Sequence, residues 1–216
     1  MRTLKKLTIK NFKSIREQTI EPGLLNIFIG GNGVGKSNLI EVFRFLREIV
    51  NQNLGGYTAQ KGGADKLLHF GRKKSSRMEL SLEFGEGDTS NAYDIKIKGA
   101  DDDSLMIWSE SIFYHEKSKY TEPWDKLVSS FVKESKLKQT NHICARQVVG
   151  DLDSYRVYHF HDTSDSAAVK ATGDVQDNRF LRPQAENLAA FLYWLQEKEP
   201  DHFQNIVETV RQVAPF

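Results

Sequence analysis

The sequence predicts an α/β fold, and three observations carry that reading. An apolar run at residues 24–29 leads through a glycine-rich octad at 30–37 into a segment of helical period. Two alternating stretches around 78–84 and 93–97 read as strands with one wet face, and two further helical patterns occupy residues 187–213.

Taken in chain order, residues 4–12 alternate Leu7 and Ile9 with Thr8 and Lys10, which gives a first strand ending in a turn around residues 13–16. Leu24, Leu25, Ile27, Phe28 and Ile29 form a short apolar run expected to be a buried strand. Gly30, Gly31, Asn32, Gly33, Val34, Gly35, Lys36 and Ser37 then fit the phosphate-binding pattern G-x-x-x-x-G-K-[ST]. Beyond them Leu39, Phe43, Leu46 and Val50 recur at spacings of four, three and four, with Glu41, Arg44, Arg47 and Glu48 largely on other faces of the expected helix. The octad therefore sits at a strand-to-helix turn. Glycines there let the backbone take positive φ and curl its N–H groups around a phosphate, while the helix N-terminus adds positive potential. Lys36 is expected to reach the β and γ phosphates, and the Ser37 hydroxyl to ligate magnesium, with Asn38 in the same nucleotide-binding set. The cofactors implied are ATP and Mg2+.

Residues 51–63, rich in Gly, Asn and Gln without hydrophobic period, read as a loop. Met78, Leu80, Leu82 and Phe84 alternate with polar residues, as do Tyr93, Ile95 and Ile97, and residues 99–104 form a hairpin connection into 105–114. An antiparallel meander is the natural arrangement. Asp101, Asp102 and Asp103 in that connection read as a solvated tip, because a metal site needs ligands converging from several directions. Trp124, Leu127, Val128 and Phe131, with Pro123 near the start, suit an amphipathic helix within residues 117–139. Residues 154–160 read as a strand and 161–177 as a loop. Residues 187–196 and 200–213 are expected helices, separated by Glu197, Lys198 and Glu199.

Thirty Lys and Arg against 29 Asp and Glu give a net charge of +1 over 216 residues, so there is no global basic field for nucleic acid. Cys144 has no second cysteine to pair with, residues 1–10 hold no signal-like apolar stretch, and no run approaches the roughly 18 apolar residues of a membrane span. A cytoplasmic protein without membrane contact is expected. His142 with Cys144, and His159 with His161, repeat a two-residue spacing that is not typical of zinc motifs, so they read as ordinary side chains. Arg72, Lys73 and Lys74, near Arg77, read as a solvated turn, and no G-x-S-x-G nucleophile pattern appears.

Residues 7–15 (LTIKNFKSI) followed by 26–38 (NIFIGGNGVGKSN) resemble the start of the ATPase heads in the group containing RecF, the SMC and Rad50 proteins and the OLD-like predicted AAA-type ATPases, an ABC-type nucleotide-binding fold. Residues 62–71 (GGADKLLHFG) and 181–190 (LRPQAENLAA) look like stretches of the same predicted ATPases, often found in bacterial defence loci. The resemblance implies a P-loop NTPase of ABC-head type: a lobe at residues 1–180 with an antiparallel β meander, and the start of a helical lobe at 181–216 that is expected to be cut short. It implies that Lys13 lies near the nucleotide, although a solvated loop lysine is an equal reading. Where the family places a water-assisting Gln, this chain has His161 and Asp162, which either take that role or mark a slip of the comparison. The family's Asp-Glu pair after an apolar strand, and its signature helix, are not found in these residues. Implied partners are a second ATP-bound head, and DNA or a nuclease. The activity implied is ATP hydrolysis coupled to dimerisation, in DNA repair or phage defence. The alternatives are a non-hydrolysing nucleotide sensor or assembly module, and a P-loop kinase, which fits less well because simple kinases interleave strands and helices throughout.

Overall fold

The computed structural model describes residues 2–158, 164, 166–170 and 172–214. They fall into two compact units, Met1–Tyr155 and Arg156–Phe216.

The first unit is built on β1 (Thr3–Phe12), β2 (Ile15–Ile20), β3 (Arg77–Glu86), β4 (Thr89–Gly99), β5 (Leu105–Glu116) and β6 (Trp124–Val132). These make one sheet in the order β2-β1-β3-β4-β5-β6, antiparallel at every junction, so the expected meander of β3, β4 and β5 is present and is extended by β1 and β2 on one side and by β6 on the other. Alternation explains the faces. Leu7, Ile9, Leu80, Leu82, Tyr93, Ile95, Ile107 and Ile112 are buried on one side. On the other, Glu17, Lys10, Glu79 and Lys96 stand in cross-strand register, an alternating charge ladder that suits a solvated face.

Helix α1 (Lys36–Val50) buries Leu39, Val42, Phe45, Leu46, Ile49 and Val50 in the same core as the strand side chains. The Phe45 ring lies between Phe12 at 5.4 Å and Tyr57 at 5.5 Å. Each such aliphatic or aromatic side chain contributes about 1.5–3 kcal/mol by leaving water. α4 (Ile143–Ser154) adds Ala145, Val148 and Leu152 to this core. In the second unit α5 (Leu188–Lys198) packs on α6 (Pro200–Val213), which starts with Pro at its first position as expected. Asn187 is buried; its amide donates to the carbonyls of Asp177 and Phe180 and its Oδ1 accepts from the Arg182 N–H, tying the preceding loop to α5.

Five expectations are corrected. Residues 24–29 form no strand: no member of the sheet pairs with them, and Leu24, Leu25 and Ile29 are 103%, 81% and 92% exposed. Residues 51–63 contain a helix, α2 (Leu54–Gln60), whose first two N–H groups are capped by the carboxylate of Glu134, about eighty positions away. That cap is tertiary and leaves no local signal. The 117–139 helix is instead β6. Glu110 pairs with Ser129 and Ser111 with Leu127, so Val128 is a bulge, and Phe131 has φ 53°; these two irregularities turn a strand's alternation into the three-one-three spacing of a helix. Ser154 closes α4 and residues 155–158 have no regular structure, so the strand expected from 154 is absent there, while 159 and 160 lie outside the described residues. The turn expected at residues 13–16 is confined to Lys13 and Ser14, and Ile15 and Arg16 already belong to β2.

The charged clusters find partners. Arg72 bonds Asp65 at 3.0 Å, Asp103 at 3.3 Å and the Ala100 carbonyl, and Arg77 pairs with Glu79 at 2.9 Å. Asp102 accepts from the Ser104 N–H and hydroxyl. His142 caps α4 by accepting from the Cys144 N–H at 3.2 Å and stacks on Trp124.

Candidate phosphate-loop site

The start of α1 carries no side-chain cap and no acidic residue in its first turn. Its first backbone bond runs from the Leu39 N–H to the Gly35 carbonyl at 3.0 Å, so the earlier N–H groups point out of the helix end, where they and the dipole favour an anion. Gly35 sits at φ 101° and Gly33 at φ 85°, left-handed conformations that only glycine takes at little cost. A Cβ on Gly35 would also meet Ser14 Oγ at 3.1 Å. Lys36 folds back over the loop, its Nζ 2.6 Å from the Gly30 carbonyl and 2.7 Å from that of Gly31. The result is a ring of backbone with an ammonium held at its mouth. Gly30, Gly31, Asn32, Gly33 and Val34 are exposed, as is Ser37, whose hydroxyl stands in the first turn beside Lys36.

What steadies the loop is the β1–β2 turn. Asn38 Nδ2 donates to Ser14 Oγ at 2.7 Å, and Lys13 pairs with Glu41. Glu41 also accepts from the Tyr57 hydroxyl at 2.9 Å and pairs with Lys61 at 2.9 Å, which joins α1, α2 and the turn. Burial pushes the Glu41 carboxyl up, yet hydrogen bonds from Lys13, Lys61 and Tyr57 outweigh it and hold the group at about 2. Behind the turn, the Lys13 N–H donates to the Leu67 carbonyl at 2.8 Å, and His69 Nδ1 lies 2.7 Å from the Lys13 carbonyl. Residues 62–71, which include the short helix α3 (Ala64–Leu67), thus serve as a backing for Lys13 and Ser14.

Of the residues singled out from sequence, the octad and Asn38 gather at this helix end, with Lys13 one turn along α1 and committed to Glu41. His161 and Asp162 lie outside the described residues. Sequence reasoning missed Ser14, Glu41, Tyr57 and Lys61. Glu41 lies off the apolar stripe in the sequence, yet its side chain is only 15% exposed; Tyr57 and Lys61 stand in a segment that the sequence presents as a loop.

A family model described as AAA ATPase domain matches residues 3–187. The chain belongs to that family. Membership makes nucleotide-binding ATPase chemistry the activity of the AAA ATPase domain, with ATP as its nucleotide, and the matched span includes residues 30–37. No curated protein matches the chain. Among the described residues no helix is long and apolar enough to cross a membrane.

Proposed function

We propose that residues 30–38 hold the triphosphate of ATP, and that the chain is the ATP- and magnesium-binding part of an ABC-type head like those of the RecF, SMC, Rad50 and OLD-like proteins. The observation that carries this is the uncapped start of α1, where the left-handed Gly33 and Gly35 open the backbone and Lys36 Nζ is held by the Gly30 and Gly31 carbonyls. A triphosphate replaces those two weak acceptors with better ones, and the ammonium moves from carbonyl oxygens to β and γ phosphate oxygens. The donor set fits the group: N–H dipoles and one cation face the loop, and the first turn of α1 brings no carboxylate to repel it. Magnesium, when bound, neutralises charge on the β and γ phosphates. Ser37 would hold it through its hydroxyl. Asn38 fixes Ser14 against Gly35, and Glu41 fixes Lys13 one turn further along.

By the resemblance, two such heads close on ATP, and hydrolysis separates them again, as part of DNA repair or phage defence. The sequence holds no apolar strand followed by Asp-Glu, so turnover by these 216 residues is expected to be negligible. The test is calorimetric titration with ATP and magnesium. Lys36→Ala is expected to weaken binding by 100-fold or more, about 2.7 kcal/mol; unchanged affinity removes the loop from the assignment. Steady-state hydrolysis well above background would show that other residues replace the missing pair.

A further inference from the structure

We propose that the Phe70 ring is the platform on which the base of the bound nucleotide stacks, an assignment that rests on the phosphate-loop reading and deepens it. Phe70 stands 79% exposed with its backbone at φ 53°. Both properties are unfavourable for the chain alone, since a ring left in water forgoes the gain of burial and left-handed backbone is strained under a bulky side chain. Phe70 is the third residue of a turn closed by the Gly71 N–H on the Leu68 carbonyl at 3.0 Å, a position that glycine or asparagine fills at less cost.

The surroundings hold this strain in place. Leu68 bridges Phe12, the His69 N–H donates to the Asn11 carbonyl at 3.1 Å, and the Lys13 N–H donates to the Leu67 carbonyl at 2.8 Å. His69 is buried and its Nδ1 donates to the Lys13 carbonyl at 2.7 Å, while its ring meets Phe70 edge-on with centroids 4.4 Å apart. Asn11, Lys13 and Gly71 are left-handed too, at φ 57°, 49° and 77°, so four such residues lie on two adjoining stretches of backbone. Strain of this kind persists where neighbours over-determine it, and it gathers at ligand clamps.

The same stretch touches the phosphate loop. Ser14 follows Lys13, and its Oγ lies 3.1 Å from the place of a Cβ on Gly35. From Phe70 to Gly35 there are three short steps: ring to His69 ring, His69 to the Lys13 carbonyl, and Ser14 to Gly35. The ring therefore stands within the length of an extended nucleoside triphosphate from the loop. A nucleotide anchored there by its phosphates carries its base outside the loop, and an open aromatic ring at that range offers it a face. An all-carbon ring selects for flatness and not for one pattern of donors and acceptors, so Phe70 supplies affinity for a base without choosing among bases.

The experiment titrates the full chain with ATP and, separately, with inorganic triphosphate, which has no base, by calorimetry. Phe70→Ala is expected to weaken ATP at least fivefold, as loss of an aromatic platform does, and to leave triphosphate unchanged. Phe70→Trp is expected to retain ATP binding, with emission that ATP quenches and triphosphate does not. Phe70→Gly relieves the strain, so its urea midpoint is expected to rise while ATP weakens as in Phe70→Ala. Phe70 lies outside the core, so these changes leave the fold intact. Unchanged ATP affinity in Phe70→Ala, an equal loss of triphosphate, or a lowered midpoint in Phe70→Gly each overturns the platform. The phosphate-loop reading fails by a different signature, Lys36→Ala leaving both ligands unaffected, and that result removes the platform's partner as well.

Discussion

Two β-prone apolar segments of this chain meet opposite fates. In β1, Leu7, Ile9 and Phe12 are essentially fully buried, with β2 on one side, β3 on the other and α1 in the same core. Residues 24–29 have as much apolar surface per residue, and Leu24, Leu25, Ile27, Phe28 and Ile29 are all exposed. Local propensity is similar; the difference is a ladder partner and a surface to cover. The loop that follows is therefore not supported by a strand of its own. Its shape comes from two left-handed glycines, from Lys36 over its carbonyls, and from the β1–β2 turn held to α1 by Asn38 and Glu41.

The widest separation between the two segments should appear on truncating the same residue in each. Ile9→Ala removes a side chain of 0% exposure and is expected to cost about 2–5 kcal/mol, whereas Ile29→Ala, at 92% exposure, should stay within about 0.5 kcal/mol. Urea denaturation measures both. Equal losses would mean that residues 24–29 are packed in solution, and the contrast would collapse.

This contrast also explains what was legible. β1, β3, β4 and β5 declare themselves through period, because each has one wet face and one dry one; α5 and α6 show a helical period too, although α5 buries only Ala190 and Leu195 and α6 buries no residue. The glycine-rich octad declares itself because its residue types stand at the fixed spacing of the phosphate-binding pattern. α2 was invisible since Gly55 and Gly56 weaken it locally and its cap, Glu134, comes from beyond β6. α4 had a readable stripe in Ala145, Val148 and Leu152, masked by Gly150 and by the polar residues between. β6 was misread because a bulge at Val128 and a left-handed Phe131 imitate helical spacing. Glu41 carries no signal of its role for a related reason: a charge on a helix is solvated by default, and only the arrival of Lys13, Lys61 and Tyr57 from three places in sequence makes it an anchor.

That anchor gives the next largest effect. Glu41→Ala is expected to destabilise the chain by about 1–2 kcal/mol by removing one carboxylate from three partners. The pH dependence has a definite sign. The carboxyl titrates at about 2 in the folded chain against an ordinary 4.5, so its contribution is complete above about 4.5 and disappears as pH falls toward 2. Glu41→Gln should flatten that part of the stability–pH curve, and a curve that keeps its slope would assign the acid sensitivity to other groups. Asp65, held down from an ordinary 3.8 to about 2 by its bonds to Arg72, is solvent-exposed and screened, so it remains in the variant as a weak background titration.

The smallest effect separates the two left-handed glycines. Gly33→Ala meets nothing within 4 Å and bears only the cost of a left-handed alanine, about 1 kcal/mol. Gly35→Ala bears that same cost and also places a methyl 3.1 Å from Ser14 Oγ, the atom that Asn38 holds. The hydroxyl must then give way, and the turn with it, so Gly35→Ala should exceed Gly33→Ala by several tenths of a kcal/mol in denaturation. Ser14→Ala removes the oxygen and should restore the Gly35→Ala variant toward the Gly33→Ala value. If Ser14→Ala adds to the loss instead, the turn does not press on the loop, and its support has to be sought in Lys13 and Glu41 alone.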